Sequence, residues 1–145
     1  MRIRIVAVGK VKERAARELI DDYIGRLGRY CPCEQIELKA AADGKLTAAI
    51  ARATAGASVV ALDAAGETLS SARFAKSLER LASRGKGIVA FVIGGANGLP
   101  QAMLQSADAR WSLSALTFPH RLARLVLVEQ LYRAMTILRG EPYNR

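Results

Sequence analysis

The sequence predicts an α/β protein built on a mostly parallel sheet with helices on both faces. Two observations carry this. Strand-like and helix-like segments alternate five times along the 145 residues, the pattern of parallel strands joined by crossover helices. Two short runs, 58–62 and 88–93, are apolar but for Ser58 at the start of the first, as central strands buried on both faces are. The length suits a single domain over 1–145, and no repeat, linker or low-complexity segment divides it.

Each element has its own signal. Residues 2–8 alternate as a first strand, and Gly9 closes it. From Glu13 to Leu27, residues Ala16, Leu19, Ile20, Tyr23, Ile24 and Leu27 make one helical face, with Gly28 as its stop. Cys33 to Leu38 is a second strand, interrupted by polar residues. Leu46 to Thr54 is a short alanine-rich helix ended by Gly56. Ser58 to Asp63 is a buried strand, with Gly66 in the loop after it. Thr68 or Ser70 caps the next helix, whose face is Phe74, Leu78 and Leu81 and whose stops are Gly85 and Gly87. Ile88 to Ile93 is a strand, and Pro100 fits the first turn of a short helix ending at Ser106. Ala109 to Leu113 is the last strand. A long helix over 121–138, stopped by Gly140, completes the chain.

That last helix is apolar on nearly every side, through Leu122, Leu125, Val126, Leu127, Val128, Leu131, Met135 and Ile137. A helix apolar all round is buried all round, which predicts cover from a second subunit in a two-fold homodimer. The alternative is a core helix capped by the first helix of its own chain. Glu129 and Arg133 stand i,i+4 in the order that supports a helix.

Composition narrows the partners. A net charge of +9 points to a polyanion: RNA, DNA or an anionic membrane surface. No apolar run approaches the roughly 20 residues of a membrane span, and the N-terminus lacks the features of a signal peptide. No membrane partner and a cytoplasmic location are expected. Cys31 and Cys33 flank Pro32, where a disulfide would be strained. With one histidine in the chain, no metal centre is expected.

Two loops are the candidate site. Val92-Ile93-Gly94-Gly95-Ala96-Asn97-Gly98-Leu99-Pro100 follows the most apolar strand, and Leu113-Ser114-Ala115-Leu116-Thr117-Phe118-Pro119-His120 comes soon after. Strand, glycine turn and helix start are where an α/β protein keeps a ligand, and the two loops together are expected to hold one small molecule. A phosphate-binding loop needs Gly-Lys-Ser/Thr, which Gly98-Leu99-Pro100 does not offer. A dinucleotide turn needs other glycine spacing in the first βα unit. A ligand held by backbone groups and apolar walls remains, and an adenosyl group carrying a sulfonium fits. A nucleotide such as ATP stays open as an alternative, because Gly-Gly turns are common.

The two loops, together with Trp111-Ser112, Glu129-Gln130-Leu131-Tyr132-Arg133-Ala134, Pro142-Tyr143 and Val6-Ala7-Val8-Gly9-Lys10, resemble the ribosomal RNA large subunit methyltransferase H family over the whole chain. The resemblance implies a SPOUT-type α/β fold with a C-terminal deep trefoil knot and a homodimer. It implies use of S-adenosyl-L-methionine to methylate N3 of a pseudouridine in 23S rRNA of the assembled ribosome. By position it implies cofactor contacts at Leu62, Gly94, Leu113, Ser114, Ala115, Leu116, Thr117 and Phe118.

The family's tail reads Pro-Tyr-His and then a basic residue, whereas this chain has Pro142-Tyr143-Asn144-Arg145. Asparagine is no base at neutral pH. Tyr143 and Arg145, with Arg133 anchoring the tail or RNA, are the catalytic candidates on the substrate side. His120 is expected to cap a helix or fix a loop rather than act as a base. Lys10, Lys12, Arg14, Arg26, Arg29, Arg121 and Arg124 are candidate phosphate contacts. The alternative function is a catalytically weak or silent RNA-binding or ribosome-assembly dimer of the same fold, which Asn144 favours.

Overall fold

In the computed structural model, which describes residues 1–144, strands and helices alternate through the chain. The strands are β1 (Arg2–Val8), β2 (Cys33–Leu38), β3 (Ser58–Thr68), β4 (Ile88–Ile93) and β5 (Ala109–Ser112). The helices are α1 (Arg14–Leu27), α2 (Asp43–Ala53), α3 (Ser71–Ala82), α4 (Gln101–Ser106) and α5 (His120–Leu138). The sheet order is β2-β1-β4-β3-β5, and every pairing is parallel.

The period of two along β1 and β4 divides the core between the two sheet faces. Ile3, Ile5 and Ala7, with Val89, Phe91 and Ile93, pack with α1, α3 and α5. Val6, Val8 and Val92 pack with Leu46 and Ile50 of α2 and Met103 of α4. Phe91 is fully buried against Phe74 and Trp111, with ring centroids 6.0 and 5.9 Å away. Truncating such a ring costs about 3–5 kcal/mol, so this cluster anchors the sheet from which the loops project.

Several boundaries move from the sequence reading for local reasons. Helix α2 starts at Asp43 rather than Leu46, because a carboxylate in the first turn suits the helix dipole. Pro100 is the N-cap of α4 rather than a residue of its first turn. Of the two candidate caps for α3, Ser70 is used: its hydroxyl accepts from the Arg73 N–H at 3.2 Å.

The larger change is in β3, which runs past Asp63 to Thr68. Its register against β5 jumps, with Leu62 and then Glu67 both opposite Trp111. The four intervening residues form a bulge. Asp63 folds it, accepting from the Ala65 N–H at 3.2 Å and from Arg110 Nη2 at 2.7 Å. Gly66 lies in this bulge rather than in a free loop. A Cβ there would fall 2.7 Å from the Arg110 carbonyl, so only glycine lets the two backbones approach.

Helix α5 lies between α1 and α3 on one face of the sheet. Leu127, Val128 and Leu131 have no exposure, while Leu122 stays 40% exposed. Much of the cover that its all-round apolar character assigned to a second subunit therefore comes from α1 and α3 of its own chain.

Candidate functional site

The bulge of β3 and the C-terminal ends of β4 and β5 open into one cleft of about 590 Å³, the position and size of a small-molecule site in a parallel α/β sheet. Leu62 and Asp63 enter it from β3, Ile93 and Gly94 from β4, and Leu113 and Phe118 from the loop after β5. Backbone crowding sets the glycine turn. A Cβ on Gly94 would stand 2.7 Å from the Gly98 carbonyl carbon and 3.0 Å from the Leu99 nitrogen. Gly98 takes φ +72° and its N–H bonds the Gly95 carbonyl at 3.0 Å. The loop opposite is shaped by Ser114. Its carbonyl accepts from Ser112 Oγ at 2.9 Å, and its hydroxyl accepts from the Leu116 N–H at 2.9 Å.

The walls of the cleft are apolar (Leu62, Leu99, Leu104, Leu113 and Phe118), and its polar groups are few: Asp63, Ser114, Thr117, His120 and backbone. Among the described residues the lining holds no lysine or arginine. The hydrogen bond and charge of Arg110 hold the Asp63 carboxyl below its ordinary range, against the opposing effect of burial. Burial, with the nearby charge of Arg124, pushes His120 below its ordinary value, so the ring is neutral at physiological pH. Apolar walls, close backbone and an ionised carboxylate suit a cationic adenosyl ligand and leave a triphosphate without partners. Among the described residues no group of three or more His, Cys, Asp or Glu could hold a metal ion, and no helix is long and apolar enough to cross a membrane.

Six of the eight cofactor candidates line this cleft: Leu62, Gly94, Leu113, Ser114, Thr117 and Phe118. Ala115 and Leu116 do not line it, and Leu116 is 74% exposed at the turn of the loop. His120 sits at the cleft with Nδ1 3.1 Å from the Gly94 carbonyl oxygen, which ties the glycine turn to the start of α5. Asp63 is a lining residue that the sequence reading passed over. Its signal was weak, an acid one position beyond Leu62 that only the bulge brings inward.

Arg124 corrects another expectation. It is no phosphate contact: its side chain is 4% exposed, Nη1 donates to Glu37 at 2.7 Å and Nη2 to the Gly9 carbonyl at 3.0 Å. Of the other phosphate candidates, Arg121 pairs with Glu13 at 2.8 Å, Arg14 pairs with Glu18, and Arg26 lies over the rings of Tyr23 and Tyr132. Lys10, Lys12 and Arg29 are exposed.

The catalytic candidates form a second cluster, away from the cleft. Arg133 donates to both Glu129 oxygens at 3.1 Å and to Asn144 Oδ1 at 3.1 Å. Its guanidinium stands 4.8 Å from the centre of the Tyr143 ring. The Tyr143 hydroxyl donates to Glu129 at 3.3 Å, and its ring meets Tyr132 edge-on at 4.7 Å. Arg145 lies outside the described residues. None of Arg133, Tyr143 or Asn144 lines the cleft. Helix rise explains the separation: from His120 to Arg133, α5 advances about 20 Å along its axis.

Comparison with known proteins agrees with this geometry. A family model described as "Predicted SPOUT methyltransferase" matches residues 1–144. The chain is 57% identical over 143 residues to the Ribosomal RNA large subunit methyltransferase H of Sorangium cellulosum, covering 99% of each chain. It is 43% identical to the protein of that name from Acetivibrio thermocellus, covering 100% of both. Among solved structures, a probable methyltransferase from Bordetella pertussis shares the fold, with TM-score 0.62 at 15% identity over 92% of this chain and 94% of that one. From the cleft at the strand ends to the tail packed on α5, and over its whole described length, the chain belongs to the SPOUT methyltransferase family, alongside the relatives named Ribosomal RNA large subunit methyltransferase H.

Proposed function

We propose that this chain uses S-adenosyl-L-methionine to methylate N3 of a pseudouridine in the 23S rRNA of the assembled ribosome, working in the cytoplasm as a homodimer. The class's knotted C-terminal path goes with this reading. The observation that carries it is the cleft, where Leu62, Gly94, Leu113 and Phe118 meet around a space free of lysine and arginine among the described residues. The names of the full-length relatives support an RNA substrate, as does the net charge of +9.

When bound, the cofactor supplies a methyl already activated by its bond to a sulfonium sulfur, so this chain has to align groups and exclude water. The Gly94–Gly98 turn lets backbone approach the ligand, and Leu113 and Phe118 keep water from its flank. Asp63, ionised beside Arg110, offers an acceptor at the mouth of the cleft. Arg133 holds the tail, and its charge favours an anionic ring nitrogen near Tyr143. The roughly 20 Å between cleft and tail supports the homodimer, because the tail of one subunit then has a route to the cleft of the other.

Calorimetry with S-adenosyl-L-methionine, followed by methyl incorporation into ribosomes, tests the reading. The expected result is cofactor binding and labelled 23S rRNA; failure to bind the cofactor would refute it. The two-subunit site has its own test, in mixtures of Gly94→Ala and Arg133→Ala proteins. Random exchange gives mixed dimers with one intact site, so about a quarter of wild-type activity should return. A second reading, a silent RNA-binding dimer, is favoured by Asn144, whose amide oxygen is engaged by Arg133 where the family carries histidine. Cofactor binding without methyl incorporation would select it.

A further inference from the structure

A partly buried chain of polar groups, centred on the buried Arg124, runs from near the end of β2 to the glycine turn. Glu37 of β2 accepts from Arg124 Nη1 at 2.7 Å. Arg124 Nη2 bonds the Gly9 carbonyl at 3.0 Å and stands 3.4 Å from His120 Nε2. His120 Nδ1 stands 3.1 Å from the Gly94 carbonyl oxygen. An arginine has no acceptor, so the ring nitrogen facing it carries the lone pair and Nδ1 carries the proton. The ring therefore donates to Gly94, and the direction of every bond in the chain is fixed.

Stability does not account for the arrangement. Arg124 is 3% exposed, and its Nε is buried with no partner among the described residues. Burying a guanidinium with an unpaired N–H costs stability, and a well-packed apolar residue would do as well or better. What the arrangement fixes is one peptide plane. Anchoring the Gly94 carbonyl sets the Gly94–Gly95 peptide, whose N–H must point the opposite way in a trans unit.

We propose that Arg124 is a positioning residue for cofactor binding: acting through His120, it fixes the tautomer that holds the Gly94 carbonyl and so the shape of the glycine turn. The proposal rests on the reading of the cleft as the S-adenosyl-L-methionine site. The charged groups around the ring are Arg124 from its own helix and Glu37 from β2, with Arg17 of α1 and Lys10 acting on Glu37 and Asp63 lining the same cleft. A second proton on the ring would place an N–H against the Arg124 guanidinium. Cofactor affinity should therefore fall as His120 protonates, at a pH below the ordinary histidine value of about 6.5, because burial and the charge of Arg124 lower its titration point.

His120 is the chain's one histidine, so nitrogen NMR of the full-length protein reads its tautomer from a single imidazole. The expected form is Nδ1–H at neutral pH. Calorimetry with S-adenosyl-L-methionine should give weaker binding in acid for the wild type. His120→Ala should bind about tenfold more weakly at neutral pH, with a flat pH profile. His120→Asn keeps a donor near the Nδ1 position, so it should recover affinity to within about threefold while its profile stays flat. Arg124→Gln should weaken binding and raise the titration point of the imidazole. Circular dichroism melts establish that each variant is folded, and His120→Asn carries the test if Arg124→Gln is not. An Nε2–H imidazole, or His120→Ala binding like the wild type, would overturn the proposal while leaving the cleft reading intact. A wild type that fails to bind the cofactor at any pH would overturn both.

Discussion

Replacing Gly94 by alanine tests the cleft most directly. The added Cβ would stand 2.7 Å from the Gly98 carbonyl carbon, 3.0 Å from its oxygen and 3.0 Å from the Leu99 nitrogen. All three are backbone atoms, so no side chain can swing aside and the turn itself must open. Forcing a methyl into a filled space costs about 1–3 kcal/mol. If that strain is relieved by opening the turn, S-adenosyl-L-methionine affinity should fall roughly 5- to 150-fold. Gly25→Ala is the control. Gly25 lies in α1 and does not line the cleft, its Cβ would meet nothing within 4 Å and its φ is not positive, so its loss should be about twofold or less. Calorimetry measures both, and thermal melts should place the two variants within about 10 °C of the wild type. A Gly94→Ala protein that melts and binds like the wild type would refute the claim that this turn shapes the ligand site.

Arg133→Ala removes the group that holds Glu129, Asn144 and the Tyr143 ring together; methyl transfer should fall at least about tenfold while the cofactor dissociation constant stays within about twofold, as calorimetry beside labelled-methyl incorporation would show. The Asp63 carboxyl is held below its ordinary range by Arg110, so the stabilisation it brings is present above the unfolded value of about 3.9 and lost as pH falls through the lower folded value. Acid titration of Asp63→Asn followed by circular dichroism should accordingly show a smaller loss of stability below about pH 4 than the wild type. Affinity for the RNA substrate should drop by about a thousandfold between 50 and 200 mM salt if roughly six phosphates are contacted. Filter binding across that range should give Arg124→Gln the wild-type slope, because Arg124 is buried and touches no phosphate.

The fold was legible because its strands sit where periodicity is least ambiguous. Val89, Phe91 and Ile93 alternate with Ala90 and Val92, and both sets are buried, so the run reads as a central strand on any scale. The bulge in β3 was not legible. Ala64 to Gly66 look like an ordinary loop, and only pairing with β5 turns them, with Asp63, into an insertion within a strand. The two loops of the cleft were legible as loops from their glycines and prolines, and Leu62 entered through resemblance alone. Arg124 was misread for a physical reason. A run of apolar residues predicts that a helix is buried, but an arginine within it reads as surface unless its acceptors are known, and Glu37 and the Gly9 carbonyl lie 87 and 115 residues away in the chain. The tail was half legible. Its residues were picked out, but nothing in their spacing told that α5 carries them a full helix length from the cofactor loops.

The tail also bears on how the target nitrogen loses its proton. Asn144 is no base. The Tyr143 phenol is driven up by burial, by its contact with Tyr23 and by the charge of Glu129, so it keeps its own proton. The two oxygens of Glu129 already accept from Arg133 Nε and Nη2, from Gln130 Nε2 and from Tyr143, which fills their lone-pair directions. His120 lies about 20 Å away along α5 in its own chain and faces Gly94. Among the described residues around Tyr143, then, no side chain is free to take a proton at neutral pH, while the charge of Arg133 favours an anionic substrate ring. In the cleft that the tail would meet, Asp63 is held below the ordinary carboxyl range by Arg110 and is a weak base, and His120 Nε2 faces Arg124, so under the proposed reaction the ring should lose its proton to solvent. The logarithm of the single-turnover rate should rise with pH at a slope of about one across the neutral range, with no inflection near the ordinary histidine value of about 6.5. Asn144→His should add a plateau above that value. A wild-type profile already level at neutral pH would mean that a base acts in the site, and the solvent route would be wrong.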